Sequence, residues 1–404
     1  MKKNSQIGQQ IIDSIHNVIG RKDSSLHEPV FNGNEWCYLK ECLDSTYVSS
    51  VGKFVDKFEQ SLVDLTGAKY AIALVNGTAA IHLALILADV KEEDEVLTPT
   101  LTFVATANAI RYLKATPHFI DNDEDTLGVD PKKLYDYLDK FTKQIDGKCI
   151  NIKTNKIIKA IVPTHIFGHP CKINEIVDIA RQFNINVIED AAESIGSYFK
   201  GQHTGTFGLM GILSFNGNKT ITTGGGGAIL TNSHDIAKQA KHLSTTAKLA
   251  HKWDYLHDEI GFNYRLPNIN AALGCAQLEQ LPELIKSKRI LFEKYEERFS
   301  QLKGVDLFKE PNECESNYWL QTLLLDIKNK NQRDEILSLT NESGLMTRPA
   351  WILMHRLKQF SSNPRMDLSC AESISGRLIN IPSSSNLIGK NIISFPNGFG
   401  IDYE

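Results

Sequence analysis

The chain has 404 residues, 42% of them hydrophobic and 23% charged, the balance of a globular protein with room for more than one core. A formal net charge of −4 leaves no basic footprint for nucleic acid, and no apolar run approaches the ~20 residues of a membrane span. Seven dispersed cysteines without a Cys-x-x-Cys pair suit a reducing cytoplasm better than a disulfide framework.

Met1-Lys2-Lys3 runs into polar residues rather than an apolar signal core, and a helical arm is expected over residues 1–30. Residues 70–75 read as a strand, after which Asn76-Gly77-Thr78-Ala79-Ala80 opens an apolar-periodic helix through Leu87. A strand, a turn and a helix N-terminus make an anion site or simply a capped helix. The turn is neither a P-loop nor a Gly-x-Gly-x-x-Gly fingerprint. A second strand over residues 95–97 meets Pro99 and leads to Phe103, a lone aromatic at the head of a small-residue helix. Phe103 can lie flat on a heteroaromatic ring or pack in the core.

Further strands are expected over 117–120, 158–163, 185–188 and 211–214, alternating with helices. This is an α/β pattern with a large, mostly parallel sheet covered on both faces. His165 and His169 are spaced like zinc ligands, but Gly168 and Pro170 argue against a helix there and no metal is expected. Asp190 falls where the strand in Val187-Ile188-Glu189-Asp190 ends, the place for a carboxylate that pairs with a protonated pyridine nitrogen, or for a helix cap. Ser214-Phe215-Asn216-Gly217-Asn218-Lys219 precedes a run of four glycines, Gly224 to Gly227. A lysine amine attacks a carbonyl only when neutral, so an apolar approach followed by glycines that admit a ligand makes Lys219 the candidate covalent anchor. From Asn268 a helical pattern continues to about Leu302, with a kink expected near Pro282. A strand over 318–325 and a helix over 332–343 then make a smaller α/β unit.

These motifs, with Gly261-Phe262-Asn263-Tyr264-Arg265, are together similar to the DegT/DnrJ/EryC1/StrS sugar aminotransferases, and the resemblance runs over nearly the whole chain. It implies the pyridoxal-phosphate transferase fold of type I, like aspartate aminotransferase. Three regions are then expected: the arm over 1–30, a large cofactor-binding domain over 31–267, and a linking helix with a small C-terminal domain over 268–404. Two stretches resemble the subgroup making 4-amino-4,6-dideoxy sugars of the legionaminic-acid or bacillosamine type. One is Leu26-His27-Glu28-Pro29 with Gly33-Asn34-Glu35-Trp36 and Val48-Ser49-Ser50-Val51-Gly52. The other is Thr347 to His355 followed by Ile381-Pro382-Ser383-Ser384-Ser385.

The resemblance implies pyridoxal 5'-phosphate linked to Lys219, with Asp190 on the ring nitrogen and Phe103 stacked on the ring. It implies Gly77, Thr78 and Ala79 with Ser214 at the phosphate, and Asn263 reaching the neighbouring subunit's cofactor in a homodimer with shared sites. Glu193 stands where many members carry Gln or His, and accepts a hydrogen bond from the cofactor hydroxyl. Trp36, Arg348, Trp351 and His355 are candidate contacts to the sugar nucleotide. The reaction implied moves an amino group, with glutamate as donor, to C4 of a nucleotide-linked 4-keto-6-deoxy sugar in the cytoplasm. UDP-2-acetamido-2,6-dideoxy-hexos-4-ulose is the first expectation and a GDP-linked sugar the alternative. A sister dehydratase carries histidine at the lysine position, against which Lys219 argues. A non-catalytic binding protein of the same fold is disfavoured by the joint presence of Lys219, Asp190 and the phosphate turn.

Overall fold

The computed structural model describes residues 6–388; the outer ends of the expected arm (1–5) and of the expected small domain (389–404) lie outside the described residues. Seven strands form the main sheet: β1 Tyr70–Leu74, β2 Glu95–Pro99, β3 Thr116–Ile120, β4 Ile158–Ile161, β5 Asn186–Asp190, β6 Met210–Ser214 and β7 Gly227–Thr231. Their spatial order is β1-β7-β6-β5-β4-β2-β3. Only β7 runs against the rest, pairing antiparallel with β1 (Tyr70↔Thr231) and β6 (Ser214↔Gly227). β7 is absent from the strands expected from sequence, because its approach is a glycine run that reads as loop.

Both faces of the sheet are covered, as its near-continuous apolar strands require. Along β1, Ile72 and Leu74 join one core with Leu83, Ile110, Ile188 and Ile212, while Ala71 and Ala73 join another with Phe58, Leu62 and Leu281. Every strand but β7 therefore ends at the same edge, and β7 begins there. The loops after β1, β2, β5 and β6 gather at that edge.

A second, antiparallel sheet orders Val305–Leu307, Gln321–Leu325, Leu378–Ile381 and Arg348–Pro349. The first helix, Gln6–Ile19, places Ile7, Ile11, Ile12, Ile15 and Ile19 on one face by its 3.6-residue period. That face packs into the second core with Leu291, Tyr295, Phe299, Leu323 and Ile336. Between the sheets runs one helix, Asn268–Phe299, with Pro282 in its interior. The expected kink does not divide it. An interior proline costs about 3 kcal/mol, which burial of Leu281, Leu284, Leu291, Phe292, Tyr295 and Phe299 along the same helix offsets. No helix among the described residues is long and apolar enough to cross a membrane.

Candidate active site

At the carboxyl edge of the main sheet lies a cavity of about 320 Å³ whose walls include Gly77, Thr78, Phe103, Asp190, Glu193, Ser214, Lys219 and Trp351. Its first wall follows from the turn after β1. Asn76 is the N-cap of helix Gly77–Leu87, its Oδ1 accepting the Ala79 N–H at 2.8 Å while its carbonyl accepts the Ala80 N–H at 3.1 Å. One of the four donors that a helix start leaves over, the Ala79 N–H, is thereby used, while the Ala80 bond opens the helix's own ladder. The N–H groups of Gly77 and Thr78 remain as the helix's free donors among the described residues, beside the Thr78 hydroxyl at the positive end of the dipole. Ala79, expected among the anion contacts, is instead committed to the cap and does not line the cavity.

Glycine is needed at this turn for proximity. A Cβ on Gly77 would lie 3.0 Å from Ser214 Cβ, and one on Gly227 would lie 2.5 Å from the Asn76 carbonyl carbon. Substituting either would push the anion turn away from β6 and β7.

Asp190 ends β5, 4% exposed, and its two carboxylate oxygens are held separately: Oδ2 accepts the Thr106 hydroxyl at 2.7 Å and Oδ1 the Ala192 N–H at 3.2 Å. Thr106 comes from helix Val104–Tyr112, which Phe103 precedes. The neighbouring Glu189 points to the other face and accepts the N–H groups of Gly205, Phe207 and Gly208. Of two adjacent carboxylates, one knits a loop and the other enters the cavity, as alternation along a strand demands.

Lys219 sits in the loop joining β6 to β7, its side chain 13% exposed, with Nζ 3.4 Å from Glu193 Oε1 and 3.9 Å from the centre of the Trp319 ring. Glu193 Oε2 accepts the Phe167 N–H at 2.8 Å. Burial pushes the Glu193 carboxyl up to about 7, with the Lys219 charge and the Phe167 N–H opposing that rise. Between its ordinary 4.5 and about 7, native Glu193 keeps a proton that the unfolded chain releases. Stability of the cofactor-free protein should therefore fall as pH rises through that window. Glu193→Gln should flatten the fall, by something on the order of 2–3 kcal/mol across the window, in urea titrations at several pH values. An unchanged slope would show that Glu193 does not hold the proton.

Phe103 is 51% exposed, its ring centre 6.1 Å from that of Trp351, which lies 5.1 Å from Phe167. The other candidate contacts lie elsewhere. Trp36 is 73% exposed on the helix Glu35–Asp44 and does not line the cavity. Arg348 donates to Asn341 Oδ1 and the Thr347 carbonyl. His355 bonds Thr100 Oγ1 at 2.7 Å and Glu372 at 3.2 Å, tying the loop after β2 to the segment that carries Trp351. Asn263 is exposed, away from this chain's own cavity, with Oδ1 accepting from Arg265. His165 bonds Glu189, and His169 packs against Phe308 and Tyr318.

Several residues that line the cavity were not named as candidates from sequence, among them Thr102, Thr106, Thr164 and Trp319. Asn76 opens the helix in the sequence motif, where a capped helix was one of the two readings, and its side chain makes that cap. Trp319 lies in the second half of the chain and meets Lys219 only through the fold.

The arrangement offers anion donors at one end, a buried carboxylate, an aromatic wall and an amine across from them. The model of the DegT/DnrJ/EryC1/StrS aminotransferase family matches residues 31–394. Among curated relatives, GDP-perosamine synthase of Escherichia coli O157:H7 is 37% identical over 368 residues, 91% of this chain and 95% of that protein. GDP-perosamine synthase of Caulobacter vibrioides is 35% identical over 370 residues, 91% and 95% of the two chains. The solved structure of Helicobacter pylori PseC, an aminotransferase involved in the biosynthesis of pseudoaminic acid, superposes with a TM-score of 0.81 at 23% identity. That match covers 90% of this chain and 95% of that one.

Proposed function

The chain belongs to the DegT/DnrJ/EryC1/StrS aminotransferase family, and from that membership we propose that it moves an amino group from glutamate to C4 of a GDP-linked 4-keto-6-deoxy hexose. As a member it is a pyridoxal phosphate-dependent sugar aminotransferase. The preference for GDP over the UDP sugar expected from sequence rests on relatives named for a GDP-linked amino sugar.

The observation that carries the reading is the placement of Lys219 and Asp190 in one cavity with two free N–H groups at a helix start. The donor set fits the cofactor. Gly77 and Thr78, with the Ser214 hydroxyl, would hold its phosphate, Asp190 its ring nitrogen, Glu193 its hydroxyl and Phe103 a ring face. When bound, pyridoxal phosphate supplies a carbonyl for amines and an electron sink for the carbon beside the transferred nitrogen. The protein's share is to anchor, orient and move protons. Lys219 Nζ would be the covalent anchor and, when free, the base that moves a proton at the reacting carbon in each half-reaction. Asp190, fixed by Thr106 and Ala192, would keep the ring nitrogen protonated from a site with little water. Trp351 forms the outer wall toward the sugar.

Incubating the enzyme with glutamate and a panel of GDP- and UDP-4-keto-6-deoxy sugars tests the substrate. Mass spectrometry should find the amino product from the GDP sugar; amination of the UDP sugars alone would overturn the choice.

The proposal includes a homodimer in which Asn263 completes the partner's site. A C2 interface would make that contact twice. Lys219→Ala and Asn263→Asp chains, each impaired alone, should regain activity on mixing with subunit exchange, up to half of wild type per heterodimer, because one site then has both native residues. Demonstrated exchange without recovery would remove the shared site. A cytoplasmic location, supported by seven unpaired cysteines, is checked by cell fractionation.

A further inference from the structure

Lys288 is a buried cation that the proposed chemistry does not use. It lies in helix Asn268–Phe299, fully buried, and both its contacts are backbone carbonyls rather than carboxylates: that of Trp319, at 3.1 Å, and that of Ser383. Burial pushes its ammonium down to about 7. A lysine in such a place is costly unless its hydrogen bonds accomplish something.

What they hold is Trp319. This residue is fixed at three points: its carbonyl by Lys288, its N–H by Asn317 Oδ1 at 2.8 Å, and its indole N–H by the Asn218 carbonyl at 2.7 Å. Asn317 also donates to the Glu193 and Ile195 carbonyls, both at 2.9 Å, so one residue ties the Trp319 backbone to the Glu193 backbone. The third point lies next to Lys219 in sequence. The ring so fixed faces the Lys219 amine at 3.9 Å, and the same amine lies 3.4 Å from Glu193 Oε1. A cation at that distance from an indole face is attracted by the ring's quadrupole, more strongly where water is scarce.

We infer that Trp319 is a positioning residue for the Lys219 amine, holding it between indole and Glu193, and that Lys288 positions Trp319 through its carbonyl. The inference rests on Lys219 being the reactive lysine of the proposed function. Its consequence is that the resting amine is kept in one place without cofactor.

The test uses the full-length, cofactor-free protein and acetic anhydride, with acetylation of the Lys219 peptide followed by mass spectrometry. The rate near neutral pH is divided by the rate in strong base, where accessibility alone decides. Trp319→Leu should raise this ratio about five-fold, the equivalent of ~1 kcal/mol of lost cation–π attraction. Trp319→Phe, which keeps a ring, should raise it less. Lys288→Met should raise it in the same direction, and its effect should largely vanish in a Trp319→Leu background, because the two act through one contact. If Trp319→Leu does not melt cooperatively, Trp319→Phe and Lys288→Met carry the test. An unchanged ratio in the folded Trp319 variants overturns the inference, and fully additive effects overturn the part given to Lys288. Borohydride trapping of wild-type protein with pyridoxal phosphate separates this from the underlying reading. Linkage at another lysine sinks the proposed function, whereas linkage at Lys219 with unchanged ratios sinks only the role of Trp319.

Discussion

Lys219→Ala is expected to abolish transamination, with a loss of about 10⁴-fold or more, while the protein still folds and retains pyridoxal phosphate. The fold survives for a specific reason. Removing the amine takes a cation from beside Glu193, but that carboxyl is already pushed up to about 7 by burial and can take a proton instead of standing as an unpaired charge. The cofactor is retained because the free donors of helix Gly77–Leu87, the Ser214 hydroxyl and Asp190 are untouched. The assay is turnover with glutamate and the keto sugar, together with a thermal melt and cofactor absorbance after gel filtration. Near-normal turnover by a folded Lys219→Ala protein would remove the central claim.

Asp190→Asn should cost about 10²- to 10³-fold in the chemical step and little in melting temperature. Asparagine keeps the shape, can still accept the Ala192 N–H and can meet the Thr106 hydroxyl. An amide cannot stabilise a positive ring nitrogen as a carboxylate does, so electron withdrawal into the ring weakens. Single-turnover rates with glutamate measure the step apart from binding. A variant with full rate and unaltered melting temperature would leave Asp190 only its structural role of accepting the Thr106 hydroxyl and the Ala192 N–H.

Most strands of the main sheet were legible because their apolar runs are long and end in turn residues: the runs read over 70–75 and 211–214 correspond to Tyr70–Leu74 and Met210–Ser214. β7 was hidden by its own function. Gly224 to Gly227 looks like loop, yet Gly227 is the first residue of a strand whose backbone must approach Asn76. The hairpin Thr142–Ile145 and Lys148–Asn151 also escaped, although Asp146-Gly147 with both φ angles positive is a strong local hairpin signal.

In the site, sequence exposed what lies at the ends of strands: Thr78, Asp190, Ser214 and Lys219 are each within a few residues of one. It did not separate residues that line the cavity from residues that support it. His355 and Arg348 are polar and sit in a distinctive segment, but their side chains are spent on Thr100 and Glu372 and on Asn341. Trp319 was missed for the opposite reason, since nothing local links position 319 to position 219.

The loop that carries Lys219 is closed at both ends. Ser214 and Gly227 are paired across β6 and β7, and inside them the Phe215 N–H reaches the Gly226 carbonyl at 2.8 Å and the Thr223 N–H reaches the Phe215 carbonyl at 3.0 Å. An amine on such a loop is a tethered competitor. With Lys219 as the proposed anchor, a product amine or a stray cellular amine contesting the carbonyl would face a rival whose effective molarity is on the order of molar or above. The short double tether would thus set the direction of exchange as a property of the loop's closure, and lengthening it with inserted glycines would let soluble amines hold the enzyme off its resting form.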